Sequence, residues 1–373
     1  MRVTVDGIIY ELQSSGGISR LFSEILPRMC NLDSSLQINL FTQRDCLQAL
    51  PVHAQMHNRR IPSLEDYLRP RRFWRRHWQM LRMQTYRFLE VSKKSSIWHS
   101  TYYTDPGKWS GPRVVTVYDM IVEKYQEQFM LPGDEEVRQR KRRAVLNADA
   151  IISISETTKR DLLSDYNIQP EIVHVTPLSH SQIFTQLPED AINNRGFRRP
   201  FLLYVGKRSH NKNFETLLNA YSLWRNREKV GLIAVGPAWS EDENRRLTKL
   251  NIQEKVLLTQ APDDKVLCDL YNQALAFVYP SLYEGFGIPL LEAMACGCPI
   301  IASRIPSTQE VAGDCPIYFE PLEVESLLFA LESVFDESEV THRVQAGLER
   351  VKNYSWERTA RQTLDVYYSL NLR

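Results

Sequence analysis

Tyr283-Glu284-Gly285-Phe286-Gly287-Ile288-Pro289-Leu290-Leu291-Glu292 is the stretch on which the reading of this chain turns. It follows the apolar run 276–279, which predicts a strand, and leads into 289–296, which predicts a helix. Pro289 stands in the first helical turn, where a missing N–H costs nothing. Gly285 and Gly287 let the backbone come close to a ligand. The amides from Gly285 to Leu290 are therefore expected to point at an anion, with the helix dipole helping. Glu284 sits on the loop and Glu292 inside the helix, eight residues on, and each can accept a pair of hydroxyls, one pair on a sugar ring and one on a ribose. Acids at an ordinary helix start do not account for a Gly-Phe-Gly set between two carboxylates.

A second turn has the same construction. Val205-Gly206-Lys207-Arg208-Ser209-His210-Asn211-Lys212-Asn213 follows a strand predicted over 201–205 and opens a helix predicted over 213–224. Arg208 and Lys212 are expected to meet on one side of it and neutralise a diphosphate, Arg as a forked donor and Lys as a point charge. Near the N-terminus, Ser14-Ser15-Gly16-Gly17-Ile18-Ser19-Arg20 again places a tight turn before a helix. Gly16 and Gly17 offer bare amides there, although the spacing is not that of a dinucleotide fingerprint.

Outward from these turns the chain alternates. Strands are predicted over 3–10, 36–42, 97–100, 114–118 and 150–154, with helices over 18–30, 138–147 and 156–166. The pattern stops at 182–199, a polar stretch with Pro188, Gly196 and Pro200 at or beside it, read as a linker. It resumes with strands over 201–205, 230–235, 256–258, 276–279, 300–302 and 317–319, with helices between them. Such alternation predicts an α/β protein with two doubly wound parallel sheets, and two such halves facing one another make a nucleotide cleft. Residues 1–185 are expected to form one domain and 198–355 the other, with a helix over 356–373 returning to the first.

Composition agrees. The 373 residues suit two domains, with 43% hydrophobic and 24% charged residues. A net charge of +1 gives no argument for nucleic-acid binding. The six cysteines form no CxxC pair and are too sparse for a disulfide scaffold, so free thiols in a reducing compartment are expected. No apolar leader opens the chain, and no uncharged run approaches the ~20 residues of a membrane span. The expected location is the cytoplasm, at most peripheral on the inner face of the cytoplasmic membrane. Residues 69–94 supply the reason for the second clause: Arg69, Arg71, Arg72, Arg75, Arg76, Arg82, Arg87, Lys93 and Lys94 stand against one acid, Glu90, with Phe73, Trp74, Trp78 and Tyr86 interleaved. A basic aromatic helix suits an anionic membrane surface, and equally a helix packing its tryptophans inward.

With these motifs in view, the chain resembles the GT4 family of retaining glycosyltransferases, which have the GT-B fold, over nearly its whole length. The resemblance rests on 284–292, 206–213, the Gly16-Gly17 turn and Tyr354-Ser355-Trp356-Glu357. It implies that Glu284 contacts the donor sugar and Glu292 the ribose, and that Phe286, Gly287, Ile288 and Leu290 lie along sugar and phosphate. It puts Arg208 and Lys212 on the diphosphate, with Lys207 at the position where the family's Arg can also stand. Gly16 and Gly17 would cap the diphosphate from the other domain. Many members carry His-Asp at the end of an N-domain strand; here Tyr118 replaces that His, while Asp119 is kept on the acceptor side. His99, at the end of its own strand, is expected to line the acceptor cleft. The implied enzyme is a metal-independent retaining hexosyltransferase without cofactor, taking mannose from GDP-mannose to a hydroxyl of a glycan or lipid-linked acceptor in cell-surface polysaccharide or O-antigen-type synthesis. Rival readings are a UDP-sugar transferase, a sugar-nucleotide epimerase, which needs no acceptor, and a non-catalytic nucleotide-sugar-binding scaffold, which binds donor without turnover.

Overall fold

A computed structural model describes residues 1–61, 96–107, 109–125, 133–188, 200–260 and 262–370. The basic segment 69–94 lies outside the described residues. The chain divides into two units, Met1–Leu178 with Ser355–Arg373, and Ser179–Tyr354.

The first unit runs β1 (Arg2–Asp6), α1 (Ile8–Leu12), α2 (Gly17–Leu32), β2 (Gln37–Thr42), β3 (Met56–Arg60), β4 (Ser96–Ser100), β5 (Arg113–Val117), α3 (Ile121–Lys124), α4 (Asp134–Leu146), β6 (Ala150–Ser153), α5 (Glu156–Asp165) and β7 (Val173–Val175). Its seven strands are parallel, in the order β3-β2-β1-β4-β5-β6-β7. The second unit runs β8 (Phe201–Val205), α6 (Phe214–Leu223), β9 (Gly231–Val235), α7 (Glu241–Lys249), β10 (Val256–Thr259), α8 (Asp264–Gln273), β11 (Ala276–Tyr279), α9 (Ile288–Ala295), β12 (Ile300–Ser303), α10 (Pro306–Ala312), β13 (Ile317–Phe319), α11 (Val324–Ser333) and α12 (Glu337–Val351). Its six strands are also parallel, in the order β10-β9-β8-β11-β12-β13. Strands covered on both faces must be apolar throughout, which is why Phe201–Tyr204 and Ala276–Tyr279 are buried without alternation. Leu202, Leu217, Leu232, Val278 and Ile301 form one core there, each stabilising the unit by about 1.5–3 kcal/mol. Both sheets reverse their winding at one place, between β1 and β4 and between β8 and β11, and the carboxyl ends of those strands are where a doubly wound sheet takes its ligand.

Several expectations change. The first strand stops at Asp6 rather than running to residue 10, and α1 begins. The Asp6 carboxylate is turned inward, where it accepts from the Thr101 amide at 3.1 Å and its hydroxyl at 2.5 Å, and also from the Thr104 hydroxyl. Those bonds tie the end of β1 to the loop after β4. Strand β3 carries the sequence Met-His-Asn-Arg-Arg, exposed after its first residue; edge strands of this polarity leave no apolar signature. The start of the expected linker is packed into the second unit: Phe184 is buried edge-on to Tyr271 at 5.9 Å, and the Leu187 amide donates to Asn272 at 2.8 Å.

The last helix, α13 (Trp356–Ser369), belongs to the first unit. Ser355 caps it by accepting from the Arg358 amide at 3.2 Å, and Trp356 is buried, which accounts locally for the Tyr-Ser-Trp-Glu signature. Glu357 pairs with Arg28 on α2 at 2.8 Å, and the Thr359 hydroxyl donates to the Pro177 carbonyl at 2.6 Å. Deeper in, the Tyr367 hydroxyl meets His99 Nδ1 at 2.5 Å, and His99 Nε2 meets the Thr116 hydroxyl at 2.8 Å. His99 is fully buried, so it does not line a cleft as expected but joins β4, β5 and α13 in the core. Strand residues alternate faces, and sequence alone left open which face residue 99 takes.

Burial pushes the His99 imidazole down to about 3. The folded chain therefore stays unprotonated there while the unfolded chain takes up a proton near pH 6.5, so stability falls with acidification across the window between. Between pH 6.5 and 5 this contributes about 2 kcal/mol of lost stability. A denaturant series at the two pH values should show that loss in the wild type and a smaller one in His99→Asn; equal slopes would place the acid sensitivity elsewhere.

Candidate functional site

The two basic and acidic turns identified in the sequence flank the winding reversal of the second unit. One follows β8 and the other follows β11, and β8 and β11 are neighbours. Backbone and side-chain bonds join the turns: the Leu282 amide donates to the Asn211 carbonyl at 2.7 Å, and Asn211 Nδ2 donates to the Tyr283 carbonyl at 3.3 Å. Across this seam Lys212 Nζ reaches Glu284 Oε1 at 2.5 Å. The Ser281 hydroxyl donates to the same oxygen at 2.6 Å. Lys212 also lies 5.9 Å above the Tyr279 ring, a cation–π contact. Burial and the neighbouring Glu284 carboxylate push the Tyr279 phenol well above its ordinary value, so it stays protonated as a donor. Lys212 keeps about a quarter of its side chain exposed, against 10% for Glu284.

Gly287 stands at the N-cap of α9 with φ +125°, a conformation that L side chains rarely adopt. A Cβ there would also sit 3.0 Å from Leu290 Cδ1. Pro289 occupies the first turn of the helix. Phe286 and Leu290 are buried, and the Phe286 ring packs edge-on to Tyr354 at 5.8 Å, so what these residues can offer a ligand is backbone. Ile288 remains half-buried at the helix start. Glu292 is buried inside α9 and accepts from the Tyr271 hydroxyl on α8 at 3.1 Å. That hydroxyl is held protonated by burial, with the Glu292 charge adding to the effect.

Arg208 does not join Lys212. Its side chain is 3% exposed, and its Nε meets Glu243 Oε1 at 2.5 Å. Nη2 donates to the Pro237 and Ala238 carbonyls at 2.8 and 3.0 Å, and the guanidinium lies 4.3 Å from the Trp239 ring centre. Glu243 in turn closes a capping box with Ser240 at the start of α7. Burial works against ionisation of Glu243, but the Arg208 and Ser240 hydrogen bonds hold its carboxyl below the ordinary range. A Cβ on Gly236 would meet the Gly206 carbonyl at 2.5 Å and Arg208 Nη1 at 2.8 Å, so glycine is required for this loop to close over the arginine. The exposed cation of the turn is Lys207, whose carbonyl accepts from Tyr204 at 2.7 Å. Two adjacent basic residues in a turn look alike in sequence; the backbone at Gly206, φ +141°, decides which one faces in.

In the first unit, Gly16 and Gly17 are exposed at the start of α2. Tyr118, at the end of β5, is buried and donates to the Thr101 carbonyl at 2.6 Å. Its phenol is pushed well up, by burial first and by Asp6 next. Asp119 is half-buried, and its Oδ1 accepts from the Ile121 amide at 3.0 Å. The basic run 138–143 reads in sequence as a solvated helix face, but its Lys141 is fully buried, with Nζ donating to the Asp119 carbonyl at 2.9 Å and pairing with Glu123 at 2.7 Å.

Two family models match the chain side by side: glycosyltransferase family 4 over residues 15–178, and glycosyl transferases group 1 over 188–347. The chain belongs to the group 1 (GT4) glycosyltransferases. Among its relatives, the O-antigen chain mannosyltransferase B of Escherichia coli is 27% identical over 94% of this chain and 95% of its own. An α-(1→4)-mannosyltransferase of Mycolicibacterium hassiacum is 30% identical, over 58% of this chain and 53% of its own. The sucrose-phosphate synthase of Thermosynechococcus elongatus superposes with a TM-score of 0.78 at 20% identity, covering 99% of this chain and 98% of that one. WaaG, a glycosyltransferase involved in lipopolysaccharide biosynthesis, gives 0.74 at 16% identity, covering 98% and 99%. These place the two Rossmann-like units of this GT4 glycosyltransferase in the GT-B fold.

The geometry separates two basic residues that sequence treats alike. Arg208→Ala should cost about 3 kcal/mol of stability, because it leaves Glu243 without its buried partner. Lys212→Ala should cost less than Arg208→Ala, because Ser281 still donates to Glu284, while lowering transfer by at least ~100-fold. Thermal melts and initial rates on both variants check this; an Arg208→Ala protein of native stability without activity would instead make Arg208 a ligand.

Proposed function

We propose that this glycosyltransferase moves mannose from GDP-mannose, with retention, to a hydroxyl of a glycan or lipid-linked acceptor in polysaccharide or O-antigen-type synthesis. The observation that carries the donor site is the Lys212–Glu284 pair across the β8 and β11 turns, because it sets a cation and a hydroxyl-accepting carboxylate side by side where this fold takes its ligand. The choice of mannose is supported by relatives named as mannosyltransferases, among them O-antigen chain mannosyltransferases of Escherichia coli and Salmonella typhimurium.

In this reading Glu284 holds sugar hydroxyls and Glu292 the ribose, with the amides of Phe286, Gly287, Ile288 and Leu290 along the sugar and phosphates. Lys212 and the exposed Lys207 take the diphosphate charge, replacing the pair Arg208 and Lys212. Gly16 and Gly17 contribute amides from the first unit, and Asp119 stands on the acceptor side. The acceptor oxygen bonds to the anomeric carbon on the face from which the diphosphate departs. The C–O bond to the leaving phosphate breaks, its electron pair stays on phosphate, and that oxygen takes the acceptor proton. Stabilising the developing negative charge is then the main task, and two lysines with helix amides do it without a metal. Tyr118 has its proton committed to Thr101, so no proton carrier is assigned at that position.

A thermal-shift screen against GDP, UDP, ADP and their sugar conjugates tests the donor. GDP and GDP-mannose should raise the melting temperature by mass action, and Lys207→Ala with Lys212→Ala should remove the shift. A larger shift with UDP-glucose would move the donor to a UDP-sugar; UDP and UDP-glucose are the molecules bound in the solved structures of Anabaena HepE. Transfer should persist in excess EDTA; a loss restored by Mg²⁺ would overturn the metal-free route.

We also propose that the basic aromatic segment 69–94 brings the enzyme to anionic lipid. Replacing Arg71, Arg72, Arg75 and Arg76 with Gln should weaken sedimentation with phosphatidylglycerol vesicles, at about 1 kcal/mol per charge. Unchanged sedimentation would favour a packed helix.

A further inference from the structure

The carboxyl edge of the first sheet holds a cation that the donor chemistry does not use. α4 is rich in basic residues, and most of those placed against protein have partners. Arg138 is paired with Glu135 at 2.7 Å, Lys141 with Glu123 at 2.7 Å, and Arg143 Nε donates to the Gln139 carbonyl at 3.3 Å. Arg140 is the exception. It is half-buried, its Nε is shielded from solvent with no hydrogen-bond partner, and no carboxylate pairs with it among the described residues. An exposed arginine is satisfied by water, whereas a shielded guanidinium nitrogen without an acceptor is a cost that native structures seldom carry.

Its surroundings are those of a site. Lys141, the next residue, is fixed to the Asp119 carbonyl, which sets this turn of α4 against the end of β5. The loop after β4, next to β5 in the sheet, meets α4 there: Lys141 Nζ lies 5.6 Å from the centre of the Tyr103 ring, and Tyr102 is the residue before it. That loop is held in a strained form. Tyr103 has φ +57°, in the left-handed region that a bulky residue enters at a cost. The buried Asp6 carboxylate, through Thr101 and Thr104, and the Ser100 hydroxyl, which accepts from the Thr104 amide at 2.7 Å, over-determine it. The Tyr102 ring then packs against Tyr103 at 5.2 Å. β4 is one side of the winding reversal of this sheet, so the loop lies where such a fold binds ligands.

We propose that Arg140 and Tyr102 form an oxyanion site in the first unit that takes a phosphate group carried by the acceptor. A guanidinium fork and a phenol hydroxyl supply donors to a tetrahedral phosphate, and its charge gives the shielded guanidinium the counter-ion it lacks. The proposal rests on the transferase reading for the word acceptor; the anion site stands on Arg140 and Tyr102 alone. The enzyme would thus select acceptors that are phosphorylated sugars or glycans on a lipid phosphate, and reject neutral glycans of the same sugar.

The test uses the full chain with Lys207→Ala and Lys212→Ala, which removes the cations of the donor site, and titrates it with inorganic phosphate by calorimetry. This background should still bind phosphate, and adding Arg140→Gln should weaken binding by more than about tenfold, with partial recovery in Arg140→Lys and a smaller loss in Tyr102→Phe. Arg140→Gln in the otherwise native chain should keep its melting temperature and its affinity for donor nucleotide, so failure of the donor reading and failure of this one are told apart. Competition by mannose 1-phosphate or by vesicles containing polyprenyl phosphate supports the site and names its source. No phosphate binding in the background, equal binding after Arg140→Gln, loss of nucleotide affinity with Arg140→Gln, or competition by neither compound overturns it.

Discussion

The proposed donor site depends on one ion pair, Lys212 with Glu284, drawn across the place where a parallel sheet changes its winding direction. Two loops from neighbouring strands would drift independently if they only shared a sheet edge. Here a backbone bond, an asparagine side chain and a charge pair tie them together. Removing two charges from water is costly, and this arrangement limits the cost by leaving the lysine partly wet and by giving the carboxylate a second donor in Ser281. Gly287 then lets the chain turn directly from this seam into α9.

Much of this was legible because the constraints are local. A strand, a glycine turn and a helix start leave marks within ten residues, and the turns after β8 and β11 were readable from them. Glu284 and Lys212, 72 residues apart in sequence, were each visible in their own motif, and the fold brought them into contact. What was not legible follows from choices that sequence leaves degenerate. Lys207 and Arg208 are neighbours of one charge, and the turn at Gly206 buries the second. His99 ends a strand in company with Trp98 and Ser100, and the face it takes is fixed by Tyr367, which is 268 residues away in sequence. Strand β3 hid behind four exposed polar residues.

The first unit shows how a changed residue can be absorbed. With a tyrosine at position 118 the family's imidazole is absent, and the hydroxyl is spent on the Thr101 carbonyl. That bond reinforces the Asp6 contacts to the same loop, so the substitution contributes rigidity at the end of β5 in place of a titrating group. Rigidity there has a use, because Tyr103 stays in its left-handed conformation only while its neighbours hold it.

Arg208 and Lys212 show how a cation spent on the protein differs from one left open to a ligand. Arg208 takes a carboxylate, two carbonyls and an aromatic face from the protein, with Nη1 left without an acceptor and almost no surface exposed. A ligand could win it only by breaking a buried pair, at a cost of about 3–5 kcal/mol that an incoming phosphate would have to offset. Lys212 has one carboxylate, the face of the Tyr279 ring and solvent over about a quarter of its side chain. Its partner Glu284 is itself suited to sugar hydroxyls, so a donor can engage the carboxylate through its hydroxyls and the lysine through its phosphate without leaving either charge unpaired. An ion pair whose two members are each satisfied by a different end of one ligand loses little when that ligand arrives, and this is the condition for tight binding without a large desolvation penalty.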